Sequence, residues 1–100
     1  MSRPIFDELI HAPNRLKVCA MLAPVDALDF TTVREALAVS DYVLSKHVRV
    51  LVDACYVRTS KTPYASRTRT WLSLTDIGRS ALAGHLAELR RIAATATATS

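Results

Sequence analysis

Between Asp41 and Ala54 the side chains separate into two sets by spacing alone. Leu44, Val48, Leu51 and Cys55 recur at intervals of four, three and four, the pattern of one buried helical face. Asp41, Tyr42, Val43, Ser45, Lys46 and Arg49 are left on the exposed side or its flanks. Such a set is equipped to read the edges of base pairs. Lys46 and Arg49 can donate to guanine edges or to phosphates, Ser45 can donate or accept, and Val43 can meet a thymine methyl. Contacts of this kind come mostly from the first half of a helix lying in the major groove, which favours Tyr42, Val43, Ser45 and Lys46. The same residues would also make an ordinary solvated helix face, so the neighbouring segments have to decide.

The segment that follows is cationic. The 100-residue chain carries a net charge of +4, from 13 Lys and Arg against 9 Asp and Glu. Residues 54–75 hold Arg58, Lys61, Arg67 and Arg69 and no acid, while the rest of the chain balances nine bases against nine acids. One segment therefore carries the whole excess, and a local cationic strip suits a polyanion such as a phosphate backbone. Tyr56–Lys61 and Thr68–Leu74 are rich in β-branched and aromatic residues and predict a hairpin, with Thr62–Ser66 as a loop of several residues. Tyr56 and Trp71 are expected to pack structurally, and Tyr64, at the loop tip, to be the most exposed aromatic.

The remaining elements must hold this helix and hairpin. Phe6, Leu9 and Ile10 predict a short helix over 5–10, with Asp7 and Glu8 in its first turn. Ala12-Pro13 breaks it and begins a second helix to about Ala23, burying Leu16, Val18 or Cys19, and Leu22 before Pro24 stops it. Leu28 and Phe30 alternate as in a very short strand. Thr31 or Thr32 then caps a helix ending near Ala38, since Thr32 and Glu35 have capping-box spacing. Ser40-Asp41 supplies the N-cap of the 41–54 helix. Thr75-Asp76 opens a last long helix with an apolar stripe of Leu82, Leu86, Leu89 and Ile92. The alternating Ala and Thr of 93–100 are expected to fray. The order is helix, helix, short strand, helix, helix, hairpin, helix. This predicts an α+β, mostly helical winged helix-turn-helix in a single domain over residues 1–92.

Other classes of function find little support. Half of the residues are apolar and 22% are charged, the composition of a compact domain rather than a disordered chain. No run approaches the roughly 18 apolar residues of a membrane span. Acids occupy the place where a signal peptide would be apolar, so a cytoplasmic location is expected. Cys19 and Cys55 each lie in an apolar run without a second cysteine at ligand spacing, as two small core thiols would. His11, His47 and His85 show no paired spacing either, so neither a metal nor another cofactor is expected. Gly78 and Gly84 are the only glycines, which leaves no Gly-rich phosphate loop, and no nucleophile motif is present, so the chain is not expected to be an enzyme.

The runs Asp29–Leu37, Val39–Leu51 and Ala54–Val57 together resemble the winged-helix pattern of MarR-type and ArsR-type bacterial regulators. Leu74-Thr75-Asp76-Ile77-Gly78-Arg79 is similar to the L-T-x-x-G-R segment that opens the helix after the wing in MarR-like proteins. The likeness spans about residues 5–92 and is nearest to a compact subgroup without the extra helices of full MarR proteins. It implies a transcriptional regulator, a repressor rather than an activator, acting as a homodimer on a palindromic operator in double-stranded DNA. It places residues 41–49 in the major groove and brings Arg58, Lys61, Arg67 and Arg69 to phosphates or the minor groove. His47 would lock the helix or touch a phosphate. The family usually has Gly where Cys55 stands, because a left-handed backbone is convenient there. Phe6 and Leu9 of the first helix, with Leu82, Leu86, Leu89 and Ile92 of the last, are expected to pair across a two-fold axis as dimerisation helices. Two recognition helices would then sit roughly 34 Å apart. A small-molecule effector is conceivable, with no residue cluster to identify it. The alternative is a winged-helix module for protein–protein contacts without DNA binding, which would leave the cationic strip unexplained.

Overall fold

The apolar face of the recognition segment is where the core begins. In the computed structural model, which describes residues 3–97, Leu44 and Leu51 are fully buried and Val48 nearly so. They belong to α4 (Asp41–Asp53), which follows α1 (Glu8–His11), α2 (Pro13–Leu22), β1 (Leu28–Asp29) and α3 (Phe30–Leu37). After α4 come β2 (Val57–Tyr64), β3 (Arg67–Leu74) and α5 (Asp76–Thr97). The strands form one antiparallel sheet in the order β1-β3-β2. This is the expected α+β, mostly helical winged-helix architecture. Ile10, Val18, Cys19, Leu22, Val33, Leu72, Leu74 and Leu82 close the core around the α4 stripe. Among the described residues no helix is long and apolar enough to cross a membrane.

Local chemistry explains each joint. The Ser40 side chain accepts from the Val43 amide and starts α4 where expected. Both helices of the helix-turn-helix end in the same way. The Val39 amide reaches back to Arg34 and the Ala38 amide to Glu35, and the Tyr56 and Cys55 amides do the same to Leu51 and Val52. These are Schellman closures, which need a left-handed residue just past the helix. Ala38 (φ 55°) and Cys55 (φ 65°) supply it without being glycine. Cys55 therefore does adopt the left-handed backbone, but it is exposed rather than a core thiol, because that backbone turns its side chain away from the α4 stripe. Cys19 is buried as expected, and burial with the nearby Asp7 pushes its thiol up to about 11.

The L-T-x-x-G-R segment acquires a physical reading. The Thr75 hydroxyl accepts from the Gly78 amide and donates to the carbonyls of the Cys55–Tyr56 joint. A Cβ on Gly78 would lie 2.2 Å from the Tyr56 carbonyl oxygen, so only glycine fits that crossing. The Arg79 guanidinium donates to the carbonyls of Ala23 and Val25, completing the open end of α2.

Several boundaries differ from expectation. The first helix starts at Glu8 rather than Ile5, because the Asp7 carboxylate caps it through the Ile10 amide. Ile5 instead runs extended and donates its amide to the Gly84 carbonyl. The third helix begins at Phe30 with Asp29 at its N-cap, so Thr31 and Thr32 lie inside its first turn and Thr32 bonds the Asp29 carboxylate. The hairpin has no long loop. Tyr64 pairs with Arg67, which leaves Ala65 and Ser66 as a two-residue turn with Ala65 left-handed. Pro63 is tolerated within β2 because that strand is the sheet edge. The last helix continues past Ile92 through Thr97, and the hydroxyls of Thr95 and Thr97 bond backward to the carbonyls of Arg91 and Ala94. Residues 98–100 of the segment expected to fray lie outside the described residues.

Candidate nucleic-acid interface

The helix α4 presents Tyr42, Ser45, Lys46 and Arg49 to solvent, with Val43 half-buried at the flank. Tyr42 is the most exposed aromatic at 71%, against 58% for Tyr64. The sequence expectation had these two reversed, because Tyr64 lies in a paired strand rather than at a loose tip. The Lys46 ammonium lies 5.6 Å from the centre of the Tyr42 ring, close enough for a cation–π contact. Asp41 at the helix start binds the Arg34 guanidinium at 2.8 Å, tying α4 to α3. His47 is half-buried with its Nδ1 3.3 Å from Arg15 of α2. A guanidinium only donates, so this nitrogen accepts and the ring is neutral. Burial, Arg15 and Lys46 all push its pKa below the ordinary value. His47 thus braces the helix from behind, the first of the two roles foreseen for it.

The hairpin divides its charges by strand alternation. Val57, Thr59 and Lys61 on β2 face the same way as their partners Leu74, Leu72 and Thr70 on β3, and Leu72 and Leu74 point into the core. Lys61 therefore leans toward α4. It helps to line a cleft of about 650 Å³ with Ser45, Arg49, Thr59 and Thr70. Arg58, Arg67 and Arg69 stand on the opposite face with Tyr64 and Trp71. The single cationic strip expected from composition is thus two surfaces, one shared with α4 and one turned outward.

The outward surface is organised. The Arg69 guanidinium carbon sits 3.9 Å from the Tyr64 ring centre and 5.6 Å from that of Trp71. The Trp71 indole N–H donates to the Thr62 hydroxyl at 2.9 Å, which fixes the ring beneath the arginine. Stacking on its faces leaves the guanidinium edge free to donate to an anion. None of these contacts was visible in composition. The register that creates them was misjudged by the longer loop, although the alternation of Arg67, Arg69 and Trp71 carries the signal.

The expected dimerisation residues do not all lie on a free surface. Phe6 and Ile92 are 40% and 46% exposed, and Leu9, Leu86 and Leu89 are half-buried. Leu82 is only 4% exposed and belongs to the core of a single chain, because α5 crosses the domain at that level. Ile5 and Ile77, which the spacing of the stripe did not single out, are about 60% exposed on the same side as a groove between the N-terminal segment and α5.

Comparison with known proteins follows this geometry. A family model described as a winged helix DNA-binding domain matches residues 14–93. An uncharacterised protein of Methanocaldococcus jannaschii is 27% identical over 85 residues, covering 85% of this chain and 92% of its own. The structure of a transcriptional regulator homologue from Pyrococcus horikoshii superposes with a TM-score of 0.82 at 27% identity, over 89% of this chain and 88% of that one. A MarR-family protein from Porphyromonas gingivalis shares the fold, with a TM-score of 0.61 at 18% identity over 98% of this chain and 100% of its own.

Proposed function

The chain belongs to the winged helix DNA-binding domain family, and from that premise we propose that it is a cytoplasmic transcriptional regulator that binds operators in double-stranded DNA as a homodimer. The observation that carries this reading is the joint surface of α4 and the wing. Ser45 and Arg49 of the helix and Lys61 of the hairpin line one cleft, and Lys46 and Tyr42 extend that face. A helix exposing hydrogen-bonding side chains beside a projecting basic hairpin matches a duplex in cross-section, one element for the major groove and one for the flanking backbone.

The proposed roles follow from chemistry. Lys46 and Arg49 donate to guanine edges or to the phosphates beside them, Ser45 completes the edge contact, and Val43 and Tyr42 supply apolar contact to thymine methyls. Lys61 and Arg58 neutralise phosphates. Arg67 and the stacked Arg69 reach the neighbouring backbone or minor groove. Phe6, Leu9, Leu86, Leu89 and Ile92 would cover one another across a two-fold axis, presenting two α4 helices to a palindrome. Repression by occupying a promoter suits a chain whose surface is largely committed to DNA and to a second copy.

Footprinting on genomic fragments at two salt concentrations tests the proposal, with the Lys46→Ala, Arg49→Ala double variant alongside. The expected result is protection of a palindrome that weakens with salt, because phosphate contacts release counterions. It should be absent in the variant. No selective protection at either salt would overturn the reading and favour a protein-interaction module.

A further inference from the structure

A cluster remote from the DNA-facing surface is left unused by this function. His85 of α5 is fully buried, and its Nδ1 accepts a hydrogen bond from the Asp7 backbone amide at 2.9 Å. An amide can only donate, so this nitrogen must be bare and the hydrogen of the ring sits on Nε2. Nε2 lies 3.1 Å from Nδ1 of His11 and donates to it, which requires that nitrogen to be bare as well. The Phe6 ring rests against both imidazoles, 4.8 Å from each centre. Asp7 meanwhile caps α1 with one carboxylate oxygen and accepts the Tyr56 hydroxyl at 2.6 Å with the other. The bond from the Asp7 amide needs a neutral His85, and the bond between the two rings needs a neutral His11.

We infer that residues 5–7 form a proton-operated clasp, docked on α5 when His11 and His85 are neutral and released when the pair takes up a proton, while Ile10 stays buried in the core. A proton on His85 turns an N–H against the Asp7 N–H. One on His11 turns an N–H against that of His85. Either removes a bond that fastens the segment, leaving the Ile5 amide on Gly84 and the Tyr56 hydroxyl on Asp7, while Arg15 holds the Leu9 carbonyl of α1 in place. The groups facing the pair are few. The segment contributes Asp7, α1 contributes His11, the joint after α4 contributes Tyr56, and α2 contributes Cys19 next to Asp7 and Tyr56. The Asp7 hydrogen bond pushes the Tyr56 hydroxyl up to about 12 and burial holds the Cys19 thiol near 11, so both stay neutral and do not compete for the proton. Arg3 lines the adjoining groove. Burial first, and then His11, pushes the His85 pKa below its ordinary value of 6.5, with Asp7 opposing. The unfolded or released chain therefore binds the proton more readily than the docked one. Docking is complete above that ordinary value and is lost as pH falls below it. Release removes Phe6 from the surface assigned above to the dimer, so acid would also weaken assembly, a consequence that rests on the homodimer reading.

An NMR titration of the full chain between roughly pH 7.5 and 5 tests the clasp. The ring nitrogens of His85 should show the Nε2–H form at neutral pH. The Asp7 and Ile10 amides should then shift together with the His85 titration, while the Leu51 amide in the core stays fixed. His85→Asn, which keeps an acceptor for the Asp7 amide and cannot charge, should abolish the shift. His11→Gln, at an exposed position that tolerates change, should raise the midpoint by removing the repelling charge. Asp7 and Ile10 amides that ignore the His85 titration, or that move only when Leu51 does, would overturn the clasp, as would an unchanged midpoint in His11→Gln. Sedimentation at the two pH limits separates the consequence from its premise. A monomer at both limits sinks the homodimer reading and leaves the amide response to stand or fall by itself.

Discussion

The surface of α4 and the wing, and the hub where residues 5–11, the Cys55–Tyr56 joint and α5 meet, hold polar groups for opposite reasons. On the surface proposed to face DNA Lys46, Arg49 and Lys61, with Arg58 on the other face of the wing, are exposed and their ammonium or guanidinium groups make no ion pair among the described residues. In the hub Asp7, His85, Thr75 and Arg79 spend their hydrogen bonds within the chain. Among the described residues no buried side-chain nitrogen or oxygen is left unpartnered. One region keeps its valences open for a partner and the other closes them to fix geometry. The lesson is that function and stability should separate cleanly under mutation.

The sharpest test of that separation is the Lys46→Ala, Arg49→Ala variant. Each base-edge contact contributes about 1–3 kcal/mol of discrimination, so losing both should lower operator affinity by roughly 30-fold or more. Its melting temperature should match the parent, since exposed substitutions change stability by about 0.5 kcal/mol at most. A large loss of stability would show that the two regions are not independent. The converse is Gly78→Ala, whose added methyl meets the Tyr56 carbonyl. Overpacking of this kind costs about 1–3 kcal/mol, read as a lowered denaturation midpoint, with DNA affinity unchanged for the fraction that stays folded.

Much of the first region was legible in sequence, and less of the second. The spacing of Leu44, Val48 and Leu51 determines which side of α4 is wet, and Ser40 marks where it starts, because both are local properties of a helix. The hub is non-local. Asp7 and His85 are 78 positions apart, and a histidine among Ala, Gly and Leu in α5 gives no local sign that a backbone amide waits for it. Leu82 was assigned to an interface for a similar reason: a stripe records that a face is apolar, not whether the chain itself or a second copy covers it. The hairpin fell between these cases. Its strands were found from β-branched and aromatic content, but Thr62-Pro63-Tyr64 looked like loop because an edge strand tolerates residues that a central strand rejects.

Two smaller effects refine the comparison. Arg58→Ala and Lys61→Ala lie on opposite faces of the wing, and each should reduce the slope of log affinity against log salt by about 1 if both touch phosphate. A change in only one slope would tell which face of the hairpin the duplex sees. Cys55→Gly should stabilise the chain by about 1 kcal/mol, by relieving a left-handed non-glycine backbone at the end of α4. Calorimetry that showed no gain would mean that the Schellman closure already absorbs the strain.

The two-residue turn at Ala65-Ser66 makes the wing a cantilever. Eight residues per strand reach about 27 Å from base to tip at about 3.4 Å per residue. Burial holds it only near the base, at Val57, Leu72 and Leu74, and from Arg58 to Thr68 every residue is exposed. A tilt of about 10° at the root would carry the tip roughly 5 Å along an arm of that length. The tip can therefore shift while α4, held by its buried stripe, keeps its place, and under the proposed DNA binding the arm would adapt to the shape of the groove it meets.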